Sequence, residues 1–136
     1  MRSATHNVGS WLPRRAELSS DRVAVVDPER SLDYPALEER TARCAAVLTA
    51  AGIGRGDRVA ILLANRSAYL EAVFAAARLG AIAVPVNLRW VVPEITRLLH
   101  DCTPRALLYE HDLATTVEKS CAAAAEAPAF RLPVGG

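Results

Sequence analysis

The stretch covering residues 52–87, GIGRGDRVAILLANRSAYLEAVFAAARLGAIAVPVN, leaves few folds open. Residues 58–63 (RVAILL) form a short, almost continuous apolar run, the pattern of a strand buried on both faces. Asn65-Arg66-Ser67 interrupts it, and Ser67 is a residue type that caps helix N-termini. Leu70, Val73, Phe74 and Ala77 then recur at helical spacing, which predicts one apolar helix face. Gly80 stands where helices end in a left-handed residue. Residues 81–84 make a second apolar strand, closed by Pro85. Two buried strands joined by one helix are a βαβ unit, so the strands are expected to be parallel and the crossover right-handed.

The flanking sequence extends the pattern. Residues 7–18 predict a short helix with Val8, Trp11, Leu12 and Leu18 inward and Pro13 in its first turns, where a missing N–H costs least. Residues 22–26 and 31–34 read as a hairpin across the turn Asp27-Pro28-Glu29-Arg30. Asp33 suits the cap of the next helix, with Pro35 in its first turn. Leu37, Thr41, Cys44, Ala45 and Leu48 form that helix's buried stripe, Glu38, Glu39, Arg40 and Arg43 face water, and Gly52 ends it. After Asn87, Pro93 opens another helix with Glu94 at its positive end and Ile95, Leu98, Leu99 and Cys102 on its apolar face. Val92 has no acceptor to cap it, which weakens this start by ~1 kcal/mol. Thr103-Pro104 ends it, and residues 105–109 (RALLY) are a third parallel strand. An Ala-rich helix from Asp112 or Thr115 to Glu126, with Leu113, Val117 and Cys121 as its stripe, and a strand over residues 128–134 complete the reading. The fold class is α/β: parallel strands flanked by helices, plus a small N-terminal hairpin.

Composition narrows the function classes. A chain of 136 residues suits one domain, and a compact chain of that size buries roughly 68% of its unfolded surface. Net charge is +1, the arginines are scattered, and aromatics make up 5%, so neither nucleic acid nor an anionic membrane is indicated as a partner. No apolar run approaches the ~18 residues that span a bilayer, and the N-terminus has no apolar signal region. Cys44, Cys102 and Cys121 are odd in number and widely spaced, so they make neither a disulfide framework nor a C-x-x-C metal site. They are expected to be buried and reduced, which implies a cytoplasmic chain.

Few residues invite chemistry. Gly52-Ile53-Gly54-Arg55-Gly56-Asp57 joins a helix to a strand, whereas a phosphate-binding glycine loop joins a strand to a helix, so it reads as a structural turn. His6, His100 and His111 fall in no metal or nucleophile motif, and His100-Asp101 reads as a helix-end cation with a solvated neighbour. Glu38-Glu39 and Asp57 show no partner for acid–base work. Trp11 and Trp90 read as packing residues. Arg89 follows a strand's carboxyl end, where open sheets place ligands, and is the one residue nominated for ligand contact, its guanidinium suited to phosphate. Neither catalytic nor metal-binding residues are assigned.

The central stretch resembles the early region of the adenylate-forming superfamily, the acyl-CoA synthetases or AMP-dependent synthetases and ligases. The resemblance is carried by Gly52, Gly56, Asp57, Arg58 and Val59, by Asn65, by Arg78–Ala81 (RLGA), by Val84-Pro85-Val86-Asn87, and by Leu32-Asp33-Tyr34-Pro35-Ala36-Leu37; it is strongest over residues 8–110. It implies a single incomplete AMP-binding domain over residues 1–136, the N-terminal portion of a ligase that uses ATP, Mg and CoA to turn a carboxylate into an acyl-adenylate and then a thioester. Arg89 would there approach a CoA phosphate. The family's Ser/Thr/Gly-rich phosphate loop, Tyr-Gly-x-Thr-Glu segment, ribose-binding Asp and C-terminal lysine have no counterpart here, and Lys119, the one lysine, matches no family motif. The chain alone is therefore expected to be inactive, with the rest of the synthetase as its partner in cis or in trans. An interaction module of a split synthetase and a truncated remnant without function are the alternatives.

Overall fold

The computed structural model describes residues 7–135; His6 lies outside them. A 3-10 turn at Val8–Ser10 leads into α1 (Trp11–Leu18), followed by the hairpin β1 (Val23–Val26) and β2 (Ser31–Asp33) and then α2 (Tyr34–Ala50). The parallel part follows as β3 (Arg58–Leu62), α3 (Ser67–Arg78), β4 (Ile82–Pro85), α4 (Val92–Cys102), β5 (Ala106–Glu110), a 3-10 turn at His111–Leu113, α5 (Ala114–Ala123) and β6 (Phe130–Val134). The four strands form one parallel sheet in the order β4-β3-β5-β6, while β1 and β2 pair antiparallel beside it.

Alternation along the central strands explains the three layers. Val59, Ile61 and Leu63, with Ala106 and Leu108, point to α2 and α3. Ala60 and Leu62, with Leu107 and Tyr109, point to Ile95 and Leu99 of α4 and Val117 and Cys121 of α5. Both faces are dry, so β3 and β5 carry no polar residue between Val59 and Leu62 or between Ala106 and Leu108. Burying Leu48, Ile61, Leu99 and Leu107 contributes about 1.5–3 kcal/mol each. Pro85 does not close β4 but belongs to it, opposite Ile61, because β4 is an edge that needs no further N–H.

The face of α3 is rotated from expectation. Glu71, Ala72, Ala75 and Ala76 are buried, whereas Leu70, Val73, Phe74 and Ala77 are half-buried. The alanines let the helix lie close to the sheet, while Val73 packs at the edge of that core, Leu70 lines a cleft with the hairpin and Phe74 lines one with α1. Gly9 shows how close the N-terminal turn lies to α3: a Cβ there would sit 2.6 Å from the Cα and N of Arg78.

α1 corrects the sequence reading more sharply. Only Leu12 of its expected inward residues is buried; Val8, Trp11 and Leu18 are 41%, 62% and 66% exposed. Leu12, Ala16 and Ser19 share the stripe that packs inward, so Trp11, Arg14, Arg15 and Leu18 form the outer one. In α2, Leu37, Thr41, Ala45 and Leu48 are buried as expected and Cys44 is half-buried. Of the other thiols Cys121 is buried and Cys102 half-buried, and all three cysteines are free. Glu38 and Arg40 do not face water: Glu38 pairs with Arg78, and Arg40 Nε donates to Glu71 at 2.6 Å.

The helix ends match the reading in part. Asp33 Oδ1 accepts from Ala36 N–H at 2.8 Å, the expected cap of α2. α4 starts one residue earlier than expected, so its cap position is Val91, which is equally unable to accept; Glu94 compensates by accepting from Val91 N–H at 2.9 Å. Ser67 is not the cap of α3. Its own N–H donates to Asp27 Oδ2 at 2.7 Å, so a carboxylate from the hairpin turn caps the helix across the fold.

Candidate functional site

In an open parallel sheet, ligands bind beyond the carboxyl ends of the strands, where the strand order reverses. Here the chain passes from β3 outward to β4, then returns over β3 to β5 and β6. The reversal lies between β3 and β5. The segments that reach it are residues 63–66 after β3, Glu110 at the end of β5, Gly135 after β6, and the hairpin turn.

An ion-pair network fills that point. Arg66 donates from Nε and Nη2 to the two carboxylate oxygens of Glu110, at 3.0 and 2.8 Å. Glu110 Oε1 also accepts from Ala64 N–H at 2.8 Å. Arg66 Nη2 further donates to Val134 O at 3.2 Å, and its Nη1 lies 3.5 Å from Glu29. The two principal side chains are only 16% and 15% exposed. Glu110 raises the already high pKa of Arg66, and burial opposes it, so the guanidinium is a fixed cation. Gly135 is required beside it, with φ +84° and space for a Cβ only 2.9 Å from Arg66 Nη2.

The hairpin is tied to the same end. Besides Ser67 N–H, Asp27 accepts from Glu29 and Arg30 N–H, both at 2.9 Å. These donors, Ser67 first, hold its carboxyl well below the usual range. A cleft of about 240 Å³ runs between Val25, Val26, Tyr69 and Leu70 above this cap.

The charged donor and the first backbone N–H at the reversal are already engaged within the chain. The Arg66 fork is closed on Glu110, and the Ala64 N–H is taken. The arrangement does not fit a nucleotide triphosphate with its Mg, which needs free N–H groups, cations and a carboxylate directed at it. Among the described residues no group of three His, Cys, Asp or Glu side chains stands together to hold a metal ion. None of Arg66, Glu110 and Asp27 was nominated by sequence. A glutamate at the end of an apolar strand and an arginine before a helix carry no local signal, because their contact spans 44 residues of chain.

The nominated residues are dispersed. Arg89 lies exposed on the loop from β4 to α4; its N–H donates to Asn87 Oδ1 at 2.9 Å, and its side chain makes no ion pair among the described residues. Trp90 packs against the α4 side of the core, as a packing residue should. Gly52 and Gly56 have positive φ and turn α2 into β3, which is the structural role expected for that loop. Asp57 there is not free: it accepts from Gly54 N–H at 2.8 Å and from Arg105 Nη1 at 3.0 Å, and these contacts, the N–H foremost, lower its pKa against the opposing effect of burial. His100 stands exposed in the last turn of α4 beside exposed Asp101, as expected, and its Nε2 also accepts from Ala125 N–H at 3.2 Å, which ties α4 to the segment after α5. His111 is exposed in the turn after β5. No helix among the described residues is long and apolar enough to cross a membrane.

Comparison with known proteins gives a consistent result. The family model described as AMP-binding enzyme matches residues 12–133. A feruloyl-CoA synthase of Amycolatopsis sp is 42% identical over 128 residues, covering 94% of this chain and 25% of the relative. A long-chain-fatty-acid–CoA ligase of Mycobacterium tuberculosis is 37% identical over 114 residues, covering 82% and 23%. Among solved structures, a Mycobacterium tuberculosis fatty acyl CoA synthetase superposes with a TM-score of 0.86 at 34% identity, covering 94% of this chain and 26% of that one. The chain thus spans about a quarter of the length of these relatives. The match over residues 12–133 and these identities place the chain in one family, and the chain belongs to the AMP-binding enzyme family.

Proposed function

We propose that this chain is the N-terminal buttress of an ATP-dependent acyl-CoA ligase and is inactive by itself. The observation that carries the reading is the closed Arg66–Glu110 pair at the strand-order reversal. A sheet whose ligand end is sealed by its own ion pair supplies rigidity, and the phosphate-binding and adenylating groups belong to the remaining three quarters of the length of the relatives. The whole ligase would activate a carboxylate with ATP and Mg, then pass the acyl group to the CoA thiol. Arg89 is the residue of this chain placed to approach a CoA phosphate, since it is an exposed guanidinium beyond a strand's carboxyl end. The resemblance to feruloyl-CoA and long-chain fatty-acid ligases supports a substrate that is an apolar or aromatic carboxylic acid.

The test is reconstitution in trans. This chain is mixed with the complementary segment of the feruloyl-CoA synthase, and acyl-CoA formation is followed with ATP, Mg, CoA and ferulate. The expected result is thioester formation by the pair and by neither piece alone. Failure of the mixed pieces to form thioester, when each is folded, would count against the buttress reading.

A further inference from the structure

The stretch between α1 and α2 adds nothing to the core: from Ser20 to Ala36 no residue is buried. β1 and β2 form a two-stranded sheet of their own beside the parallel one, and Val23 and Val26 are 60% and 72% exposed. A two-stranded hairpin is at best marginally stable in water by itself. Half-buried Ala24, Val25 and Leu32 give it a partial apolar footing, and two carboxylates of its turn cross to the parallel part. Asp27 Oδ2 accepts from Ser67 N–H at 2.7 Å, and Glu29 lies 3.5 Å from Arg66 Nη1. Both contacts are made at the start of α3, beyond the carboxyl end of β3. The sheet behind them has the opposite character, with Val59, Ala60, Ile61 and Leu62 and their neighbours on β5 buried between two layers of helices.

We propose that the hairpin is a strap laid over the carboxyl end of the sheet, latched by Asp27 and Glu29, and that it opens by itself while the parallel sheet stays folded. Segments with few buried apolar contacts open at a lower free energy than the core does, and the hairpin is such a segment beside a dry sheet. The Arg66–Glu110 pair survives the opening, because Nε and Nη2 of Arg66 are bound to Glu110 and to Val134 O, neither of them in the hairpin. What the opening releases is the Ser67 N–H, the Nη1 side of Arg66, and Tyr69 and Leu70, which line the cleft of about 240 Å³ with Val25 and Val26. The carboxyl end of the sheet thus has a fixed wall and a movable one, and the two meet at Arg66.

Native-state hydrogen exchange of the whole chain in sub-denaturing urea tests this, since it reads the opening equilibrium of each amide. The ladder amides of Val23–Val26 and Ser31–Asp33 should exchange at least about tenfold faster, relative to their unstructured rates, than those of β3 and β5. Their urea dependence should also be weaker, because opening the hairpin exposes less surface than unfolding the chain. Two kinds of variant should act crosswise. Ser67→Pro deletes the latching N–H; proline suits the first position of a helix, and Arg66 before it is already extended, with φ −145° and ψ 174°. It should speed the hairpin amides about tenfold. Asp27→Ala removes the acceptor instead and should match it, so the latch is tested even where the proline variant fails to fold. Ile61→Val, in the centre of the sheet, should speed the amides of β3 and β5 about two- to tenfold and leave the hairpin amides unchanged. Four results would each overturn the proposal: hairpin amides as protected and as urea-dependent as the sheet, hairpin amides that speed up with Ile61→Val, hairpin amides without protection in the parent chain, or hairpin exchange indifferent to loss of the latch.

Discussion

Replacing Glu110 by alanine is expected to destabilise the chain by about 2–3 kcal/mol, since three donors lose their acceptor at once. Arg66 Nε and Nη2 and Ala64 N–H all lie within 3.0 Å of the carboxylate. The pair is mostly buried, at 16% and 15% exposure, so it is outside the regime of surface ion pairs, whose median contribution is about 0–1 kcal/mol. It retains some solvent contact, so the full ~3–5 kcal/mol for breaking a buried pair is an upper limit. Arg66 also keeps its bond to Val134 O, which reduces the loss further. The assay is urea unfolding followed by far-ultraviolet circular dichroism. With a denaturant slope of roughly 1–3 kcal/mol per molar, the midpoint should fall by about 0.7–3 M. A double-mutant cycle with Arg66→Ala should give a coupling of about 1–2 kcal/mol. A destabilisation below about 0.5 kcal/mol, or a coupling within about 0.3 kcal/mol of zero, would refute the claim that this pair closes the strand ends.

Other perturbations have equally definite outcomes. Asp27 has its pKa lowered in the folded chain, so its contribution is complete above the unfolded carboxylate value of ~3.9 and is lost as pH falls below it; the urea midpoint of Asp27→Asn should therefore fall less on acidification from pH ~6 to ~2 than that of the parent chain. Val91→Ser supplies the missing acceptor at an exposed cap position of α4 and should raise stability by about 0.5–1 kcal/mol, whereas Val92→Ser should not. Gly9→Ala puts a Cβ into the backbone of α3 and should cost about 1–3 kcal/mol in the same unfolding assay. Burial, with a smaller effect from Glu71, pushes the Cys44 thiol up to about 11; its alkylation by iodoacetamide at neutral pH should be about a hundredfold slower than that of a free thiol.

The sequence carried the topology because the topology is written in local signals. The apolar runs at 58–63 and 105–109, the turns at Gly52 and Gly80 and the cap at Asp33 each act within a few residues. These are enough to order strands, helices and crossovers. What was not legible depends on what lies across the fold. Leu70, Val73, Phe74 and Ala77 have a helical period, but so do Ala68, Glu71, Ala72, Ala75 and Ala76, and only the close approach of α3 to the sheet selects the small residues. Ser67 has the chemistry of a cap, yet Asp27 takes the role from 40 residues away. Trp11 looked like core because tryptophan usually packs, and α1 is too short and too peripheral to bury two stripes. The Arg66–Glu110 network was invisible for the same reason: neither residue is unusual beside its neighbours in sequence.

The measurement closest to the central claim is carboxylate-dependent ATP–pyrophosphate exchange by the purified chain with Mg and a panel of aromatic and aliphatic acids. No exchange above the blank without protein is expected, since Glu110 already holds the Arg66 guanidinium and the Ala64 N–H at the strand ends. Exchange that depends on both the added acid and the chain would contradict this and place a working adenylation site within this quarter of the family's length.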